Sequence, residues 1–555
     1  MALRLITGRS GQGKTEYLVQ EVIRLSMENP QQKYYVIVPE QFSLEMQRKM
    51  VKKHPRHGFF NIDVLSFHRL AYRIFDECGY QPGEILEDLG VSMMLRKILS
   101  EGENNFLYFK KSMKKAGFID ELKSMLMEFI GYGVTWEQVE EVSEKLGENK
   151  ALSNKCKELG RIYEHFDKAI EGRFMVTEQI LDVAREFAKE APMLTNAVFY
   201  FDGFAGFTPV QLAFLKELLK VAGQINVTIT IPEFVPGQRG MPEDLFTSSK
   251  KTGDALLMLC QENMQEVEEV VKLDTPVSPR FINNPELAFL EKNLFQNSRK
   301  IYSKKIERIH MTVCHNPDGE ADYVMHKIEQ LVRQKGYRYR DFAVLSGDVA
   351  DYASAFKRKA AILNIPVFED TKKKVSYHSG VEAVRSLFHL AQMEYSYESV
   401  FRYLKSGMSN LIDEDADYLE NYVLYAGVRG YSMWKKPFYR RLKNKDEAAI
   451  KALLLLQEKF MEETENFCSV MRDKEASVRD KIEVLYHTMV KLSFEEKLKN
   501  QAQKAEENSD FVKAAEYRQL YDLLLSLMDK IVMIFGEEKM AVKELAEIVD
   551  AGLDA

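Results

Sequence analysis

The chain has 555 residues, 29% of them charged and 45% hydrophobic, with a formal net charge of −7. Its length predicts three or four domain-sized units; no stretch approaches the ~20 uninterrupted apolar residues of a bilayer span, and the amino terminus runs into a glycine loop rather than an export signal, so a membrane or secreted protein is not expected. The negative balance means that any nucleic acid partner must be held by local basic grooves, because the protein as a whole repels polyanions.

The first segment alternates between strand and helix patterns. Residues 3–7 predict a short apolar strand and 8–13 a turn, and 14–27 predicts a helix with Leu18, Val22, Ile23 and Met27 at helical spacing. A second buried strand is expected at 34–38, stopped by Pro39, followed by a helix at 42–53, a strand at 62–65 and a helix at 67–77. This is a β/α pattern. Between 84 and 190 it gives way to amphipathic helices at 86–99, 118–130, 135–146, 155–170 and 177–188, read as an all-helical insertion. Strand 197–201, helix 209–221 and strand 225–231 resume the sheet, and the polar, turn-rich residues 232–304 read as a linker carrying one or two helices. A second alternation follows: strand 309–314, helix 320–333, strand 341–345, helix 352–363 and a short strand at 367–368. After Gly380 the pattern is helical, with a strongly amphipathic run at 511–534. The second sheet lacks its completing strands, which predicts an N-terminal fragment of a longer protein.

The sharpest motif is Gly8-Arg9-Ser10-Gly11-Gln12-Gly13-Lys14-Thr15, a match to G-x-x-x-x-G-K-[ST] between a predicted strand and a predicted helix. Its glycines let the loop curl so that backbone N–H groups point at the phosphates of ATP; Lys14 adds a point charge and Thr15 a hydroxyl for Mg²⁺. Such a loop needs an acidic strand end for the metal, and Val198-Phe-Tyr-Phe-Asp202 supplies it, with Asp202 holding Mg²⁺ through water. An active helicase-type ATPase usually carries Glu next, to activate the attacking water; here the residue is Gly203. The pocket therefore reads as able to bind ATP and poorly equipped to split it.

Four segments in order, Thr7 to Thr15, Val36-Ile-Val-Pro-Glu-Gln41, Val64-Leu-Ser-Phe-His-Arg-Leu-Ala-Tyr72 and Phe201-Asp-Gly-Phe-Ala-Gly-Phe-Thr-Pro-Val-Gln211, resemble the AddB family, the B subunits (RexB-like) of the bacterial ATP-dependent helicase/nuclease AddAB. The likeness continues through Glu320-Ala-Asp-Tyr323, Arg340-Asp-Phe-Ala-Val-Leu345 and Asn364-Ile-Pro-Val-Phe-Glu-Asp370 and covers essentially the whole chain. It implies an α/β fold with large all-helical insertions, superfamily 1 helicase-like, with two RecA-like P-loop domains of which the second is incomplete here. The division expected is 1–83 plus 191–304 for the first RecA-like domain, 84–190 for a helical insertion, 305–379 for the start of the second RecA-like domain and 380–555 for another helical insertion. The resemblance further implies an AddA-like helicase/nuclease partner, action on single- and double-stranded DNA ends in double-strand break repair, and a degenerate motor that scans the 3′-ended strand for a recombination hotspot. Residues matching that scanning surface are Gln41, Ser43, Phe67, Arg69 and Tyr72, with Phe207 in the Asp202 loop joining them. Aromatics stack on unpaired bases, Arg and Gln reach base edges, and Ser contacts phosphate. The family's nuclease domain and its iron–sulfur cluster are expected beyond Ala555, as is the arginine finger. Ser346-Gly347 stands where an active relative often carries Tyr-Arg.

The remaining features read as structural. Cys78, Cys156, Cys260, Cys314 and Cys468 lie far apart with no pair at zinc-ligand spacing, which fits a reducing cytoplasm. Arg48, Lys49, Lys52, Lys53 and Arg56 read as a solvated helix face, with phosphate contact as the alternative; Lys372 to Lys374 and the basic stretch from Lys435 to Lys445 are similarly open. The 25 methionines read as core filler, and the ten histidines form no H-E-x-x-H cluster. Two competing functions are an active superfamily 1 DNA helicase/translocase ATPase, against which Gly203 argues, and a small-molecule P-loop kinase, for which the chain is excessively long.

Overall fold

The computed structural model describes residues 2–101, 106–113, 115, 117–146, 149–237, 244–295, 300–368, 375, 378–438 and 447–554. Among these the strands are β1 (Ala2–Gly8), β2 (Tyr34–Ile37), β3 (Ile62–Leu65), β4 (Glu84–Leu86), β5 (Phe174–Val176), β6 (Val198–Phe201), β7 (Gln224–Thr230), β8 (Glu266–Val267) and β9 (Val271–Lys272). A seven-stranded parallel sheet runs β3-β2-β6-β7-β1-β8, with β9 also pairing β1, while β4 and β5 form a separate parallel pair. Strand β7 lies between β1 and β6, pairing Gly8 with Thr230 on one side and Phe201 with Val227 on the other. The carboxyl ends of β1 and β6 therefore open on the same edge of the sheet.

Both sheet faces are covered, as parallel strands require. Alternate residues Tyr34, Val36 and Tyr200 pack under helices α1 (Lys14–Glu28) and α2 (Ser43–Lys53) through Leu18, Val22, Met46 and Met50. Tyr35, Ile37, Phe199, Phe201, Ile225 and Val227 face α3 (Phe67–Cys78) and the helices Ile180–Glu186, Pro209–Leu218 and Thr247–Glu262. Local chemistry sets the helix ends. Ser66 caps α3, Gly79 takes the left-handed conformation after it, and Thr208 and Gln211 form a reciprocal capping box ahead of Pro209.

Residues 232–304 do more than link. They carry the helices Thr247–Glu262 and Pro285–Asn293, as expected, but also β8 and β9, which add to the outer side of β1. Beyond them, 309–314, 341–345 and 367–368 do not form the strands their patterns predict. A strand exists through hydrogen bonds to a neighbour, and these segments pair with none among the described residues; Met311, Leu345 and Phe368 stand exposed. The helices of this unit do form, as Pro317–Lys335 and Val349–Leu363, packed on one another through Met325, Ile328 and Ala360.

The two long helical regions, far apart in sequence, share one hydrophobic core that runs from Leu86 to Val176 and from Val381 to Leu553. Lys97 pairs with Glu538 at 2.5 Å and Lys530 with Glu87 at 2.6 Å across that junction. None of the helices among the described residues is long and apolar enough to cross a membrane.

Candidate nucleotide-binding site

The glycine loop leaves β1 at Gly8 and enters α1 at Lys14. Gly13 closes it at φ 90°, a left-handed conformation that side-chain-bearing residues rarely adopt. The Lys14 amine spans the loop, donating to the carbonyl oxygens of Gly8 at 2.8 Å and Arg9 at 3.1 Å. Burial pushes this amine down to about 8; Asp202 opposes the shift, Arg280 adds to it and Glu291 opposes it. The Thr15 hydroxyl donates to Asp202 Oδ2 at 2.7 Å, and the Thr228 hydroxyl of β7 donates to Asp202 Oδ1 at 2.6 Å. Asp202 itself is buried, and its backbone N–H bonds the Ile37 carbonyl at 3.0 Å. A hydroxyl and a carboxylate brought together at the rim of such a loop fit Mg²⁺ by charge and by donor type.

Helix α1 is anchored by a polar network under the sheet. Glu21 accepts from Arg4, from Tyr200 Oη at 3.0 Å and from Tyr17 Oη at 3.1 Å, while Arg4 Nε donates to the buried Asn226 at 2.7 Å. Satisfied in this way, the network fixes α1, and with it the loop, against β1 and β7.

The other loop side chains turn away from the centre. Gln12 is buried and bonded to Thr275, donating to its carbonyl at 3.2 Å and accepting from its N–H at 3.1 Å and its hydroxyl at 2.7 Å. Arg9 is buried too, 3.8 Å from Asp274 and 4.0 Å from Glu291. Ser10 contributes its carbonyl to Ser278 Oγ at 3.4 Å, and Gly11 leaves room for Ser278 and Arg280, either of which a Cβ would meet at under 3 Å. Sequence reasoning missed Thr228 and the whole 273–291 segment. Thr228 had a signal: with Asn226, it is a polar residue facing inward on a β-branched strand beside β1.

The scanning-surface candidates divide by depth. Gln41, in the turn Glu40–Phe42, Arg69 and Tyr72 are exposed. Arg69 and Tyr72 line a shallow cavity of about 360 Å³ with Gln47, Asp63, Arg73 and Asp76, which Gln41 does not reach. Ser43 and Phe67 lie inside. Phe67 sits in an aromatic cluster with Phe201, Phe204, Phe207 and Phe214 at centroid distances of 5.4–6.2 Å, so it and the half-buried Phe207 pack the fold beneath the surface. Of the basic residues on α2, Lys49 and Lys53 pair with Glu16 of α1, whereas Arg48, Lys52 and Arg56 are exposed. Lys435 pairs with Glu465 at 2.9 Å; Lys372 to Lys374 and residues 439–445 lie outside the described residues.

A parallel α/β sheet with a glycine loop and an acid meeting at its carboxyl edge defines the class of the amino-terminal unit. Residues 5–291 match the family model described as ADDB, N-terminal, and the chain belongs to this family. It is 32% identical over 558 residues to the B subunit of the ATP-dependent helicase/deoxyribonuclease of Lachnoclostridium phytofermentans, covering 100% of this chain and 49% of the relative. The protein of the same name from Thermoanaerobacter sp. (strain X514) is 32% identical over 563 residues, and that from Clostridium botulinum (strain Hall) 30% over 565, each again covering 100% of this chain and 49% of the relative. The chain thus spans about half the length of the curated relatives it matches.

Proposed function

We propose that this chain is the ATP-binding and DNA-scanning part of the B subunit of an ATP-dependent helicase/deoxyribonuclease, acting in the cytoplasm with an AddA-like subunit on DNA ends during double-strand break repair. In this reading the chain contains a first RecA-like domain around β1 and the start of a second from about residue 305, and the nuclease and iron–sulfur functions belong to the longer protein. The observation that carries the nucleotide assignment is the Thr15–Asp202 contact at 2.7 Å, which joins the glycine loop to an acidic strand end.

Gly8 to Thr15 would cradle the polyphosphate through backbone N–H groups, with Lys14 as its point charge. Thr15 and Asp202 would hold Mg²⁺, which neutralises phosphate charge. Gly203 offers no carboxylate to activate water, and general-base assistance is worth ~10²- to 10⁴-fold, so ATP is bound and scarcely hydrolysed. DNA is read instead by the exposed Gln41, Arg69 and Tyr72, supported from below by Phe67 and Phe207. Calorimetric titration with ATP·Mg²⁺ tests the first part: the parent chain binds and Lys14→Ala does not, whereas equal binding by the two refutes the nucleotide assignment.

A further inference from the structure

The segment after β9 is bonded onto the outside of the glycine loop. Leu273 N–H donates to the Thr7 carbonyl at 2.8 Å, Thr275 closes on Gln12 through side chain and backbone, and Ser278 reaches Ser10. This brings Arg280, in the turn Pro279–Phe281, directly against the loop: a Cβ built on Gly11 would lie 2.9 Å from Arg280 Cβ and 3.4 Å from its Cδ. Arg280 is exposed, and no hydrogen bond or ion pair engages its guanidinium among the described residues. Of the carboxylates around the loop, Asp202 is taken by Thr15 and Thr228, and Asp274 and Glu291 lie against Arg9.

Arg280 is thus a cation without a hydrogen-bonded or ion-paired partner among the described residues, set against the glycine loop that also carries Lys14. An exposed cation with no ion-pair partner attracts a polyanion brought to the same loop. A guanidinium also suits phosphoryl oxygens, since its planar fork can donate two parallel hydrogen bonds.

We propose that Arg280 is a phosphate-binding residue of the nucleotide site, sharing the polyphosphate of a nucleoside triphosphate with Lys14 and the loop amides. The proposal rests on the nucleotide reading of Gly8 to Thr15. It also gives the 273–280 segment a role, that of a bonded strap delivering a cation to a loop at the far end of the domain's sequence.

The test uses the full chain, titrated with ATP·Mg²⁺ and with inorganic tripolyphosphate·Mg²⁺, in the parent and in Arg280→Gln, Arg280→Lys and Lys14→Ala. The expected result for Arg280→Gln is an affinity about 10-fold weaker for both ligands, with partial recovery in Arg280→Lys. The ligand-free melting temperature should not change, because the guanidinium has no partner to lose. If Arg280→Gln binds like the parent while Lys14→Ala does not bind, the proposal is wrong and the nucleotide reading stands. If neither variant differs from the parent, both fail. Loss for ATP without loss for tripolyphosphate would assign Arg280 to the nucleoside, and a lowered ligand-free melting temperature would make its role structural; either overturns the proposal.

Discussion

Thr15 at the start of α1 and Asp202 at the end of β6 are 187 positions apart in sequence and 2.7 Å apart in the fold. The second carboxylate oxygen is held by Thr228 at 2.6 Å, so both oxygens of the buried Asp202 accept hydroxyl hydrogen bonds. A buried carboxylate is tolerated only with such donors. Thr228→Val keeps the side chain's shape and removes one of them. It is expected to destabilise the protein by about 1–3 kcal/mol, read from urea melts. Thr228→Ser, which restores the hydroxyl, should recover most of the loss.

Lys14 links the same site to pH. Its amine, held down to about 8 against an ordinary value of 10.5, gives up its proton more readily in the folded protein than in the unfolded chain. Over that window the unfolded chain binds more protons, so this group's contribution to stability rises as pH increases from 8 to 10.5 and is unfavourable below 8. Phosphate binding needs the cation, so ATP affinity should move the other way, falling with a slope approaching about tenfold per pH unit above that value. Titrations from neutral to alkaline pH, with Lys14→Met as the control that lacks both trends, check the sign.

Substitution at Gly203 alone is not expected to install a general base. The residue sits at φ 83°, a conformation strained for any residue with a Cβ. Gly203→Glu is expected to lower stability by roughly 1–2 kcal/mol and to leave ATP turnover at the background of the parent chain. A phosphate-release assay with and without single-stranded DNA measures this; sustained turnover that disappears on Lys14→Ala would contradict the account of a binding-only site.

The amino-terminal elements were legible in the sequence because their causes are local. The short apolar runs of β1 and β2, the glycine loop, and the apolar spacing of α1 each specify an element without reference to distant residues. Asp202 was legible for a similar reason, as the first polar residue after a run of buried ones. Thr275, Ser278 and Arg280 were not, since they matter through contacts with a loop far away in sequence, and strands of two residues such as β8 and β9 carry no periodicity. The common core of the helical regions was hidden too, because an amphipathic face shows that a helix needs a partner without naming it. At 309–314 the local signal for a strand was sound, but a strand needs a hydrogen-bonded neighbour, and none pairs there among the described residues.

The proposed DNA-scanning surface separates by burial into exposed and enclosed residues, and the two groups should respond differently to truncation. Phe67 is almost wholly enclosed by Phe201, Phe204, Phe207 and Phe214, so Phe67→Ala should cost about 3–5 kcal/mol of stability through the cavity it leaves. Tyr72 is 38% exposed, with Phe75 meeting its ring edge at 6.2 Å, so Tyr72→Ala should change stability far less. If its ring stacks on an unpaired base, that variant should instead weaken single-stranded DNA binding by about 1–3 kcal/mol. Arg69, beside Tyr72 on the same cavity, is expected to affect the preference between hotspot and scrambled sequence more than total affinity, as a group reading a base edge does. The measurement is fluorescence anisotropy with both oligonucleotides on the chain assembled with its proposed partner subunit, paired with melts of each variant. DNA binding by Tyr72→Ala and Arg69→Ala indistinguishable from the parent would remove this surface from DNA recognition, while a loss in Phe67→Ala that merely tracks its lower stability would leave the division between reader and support intact.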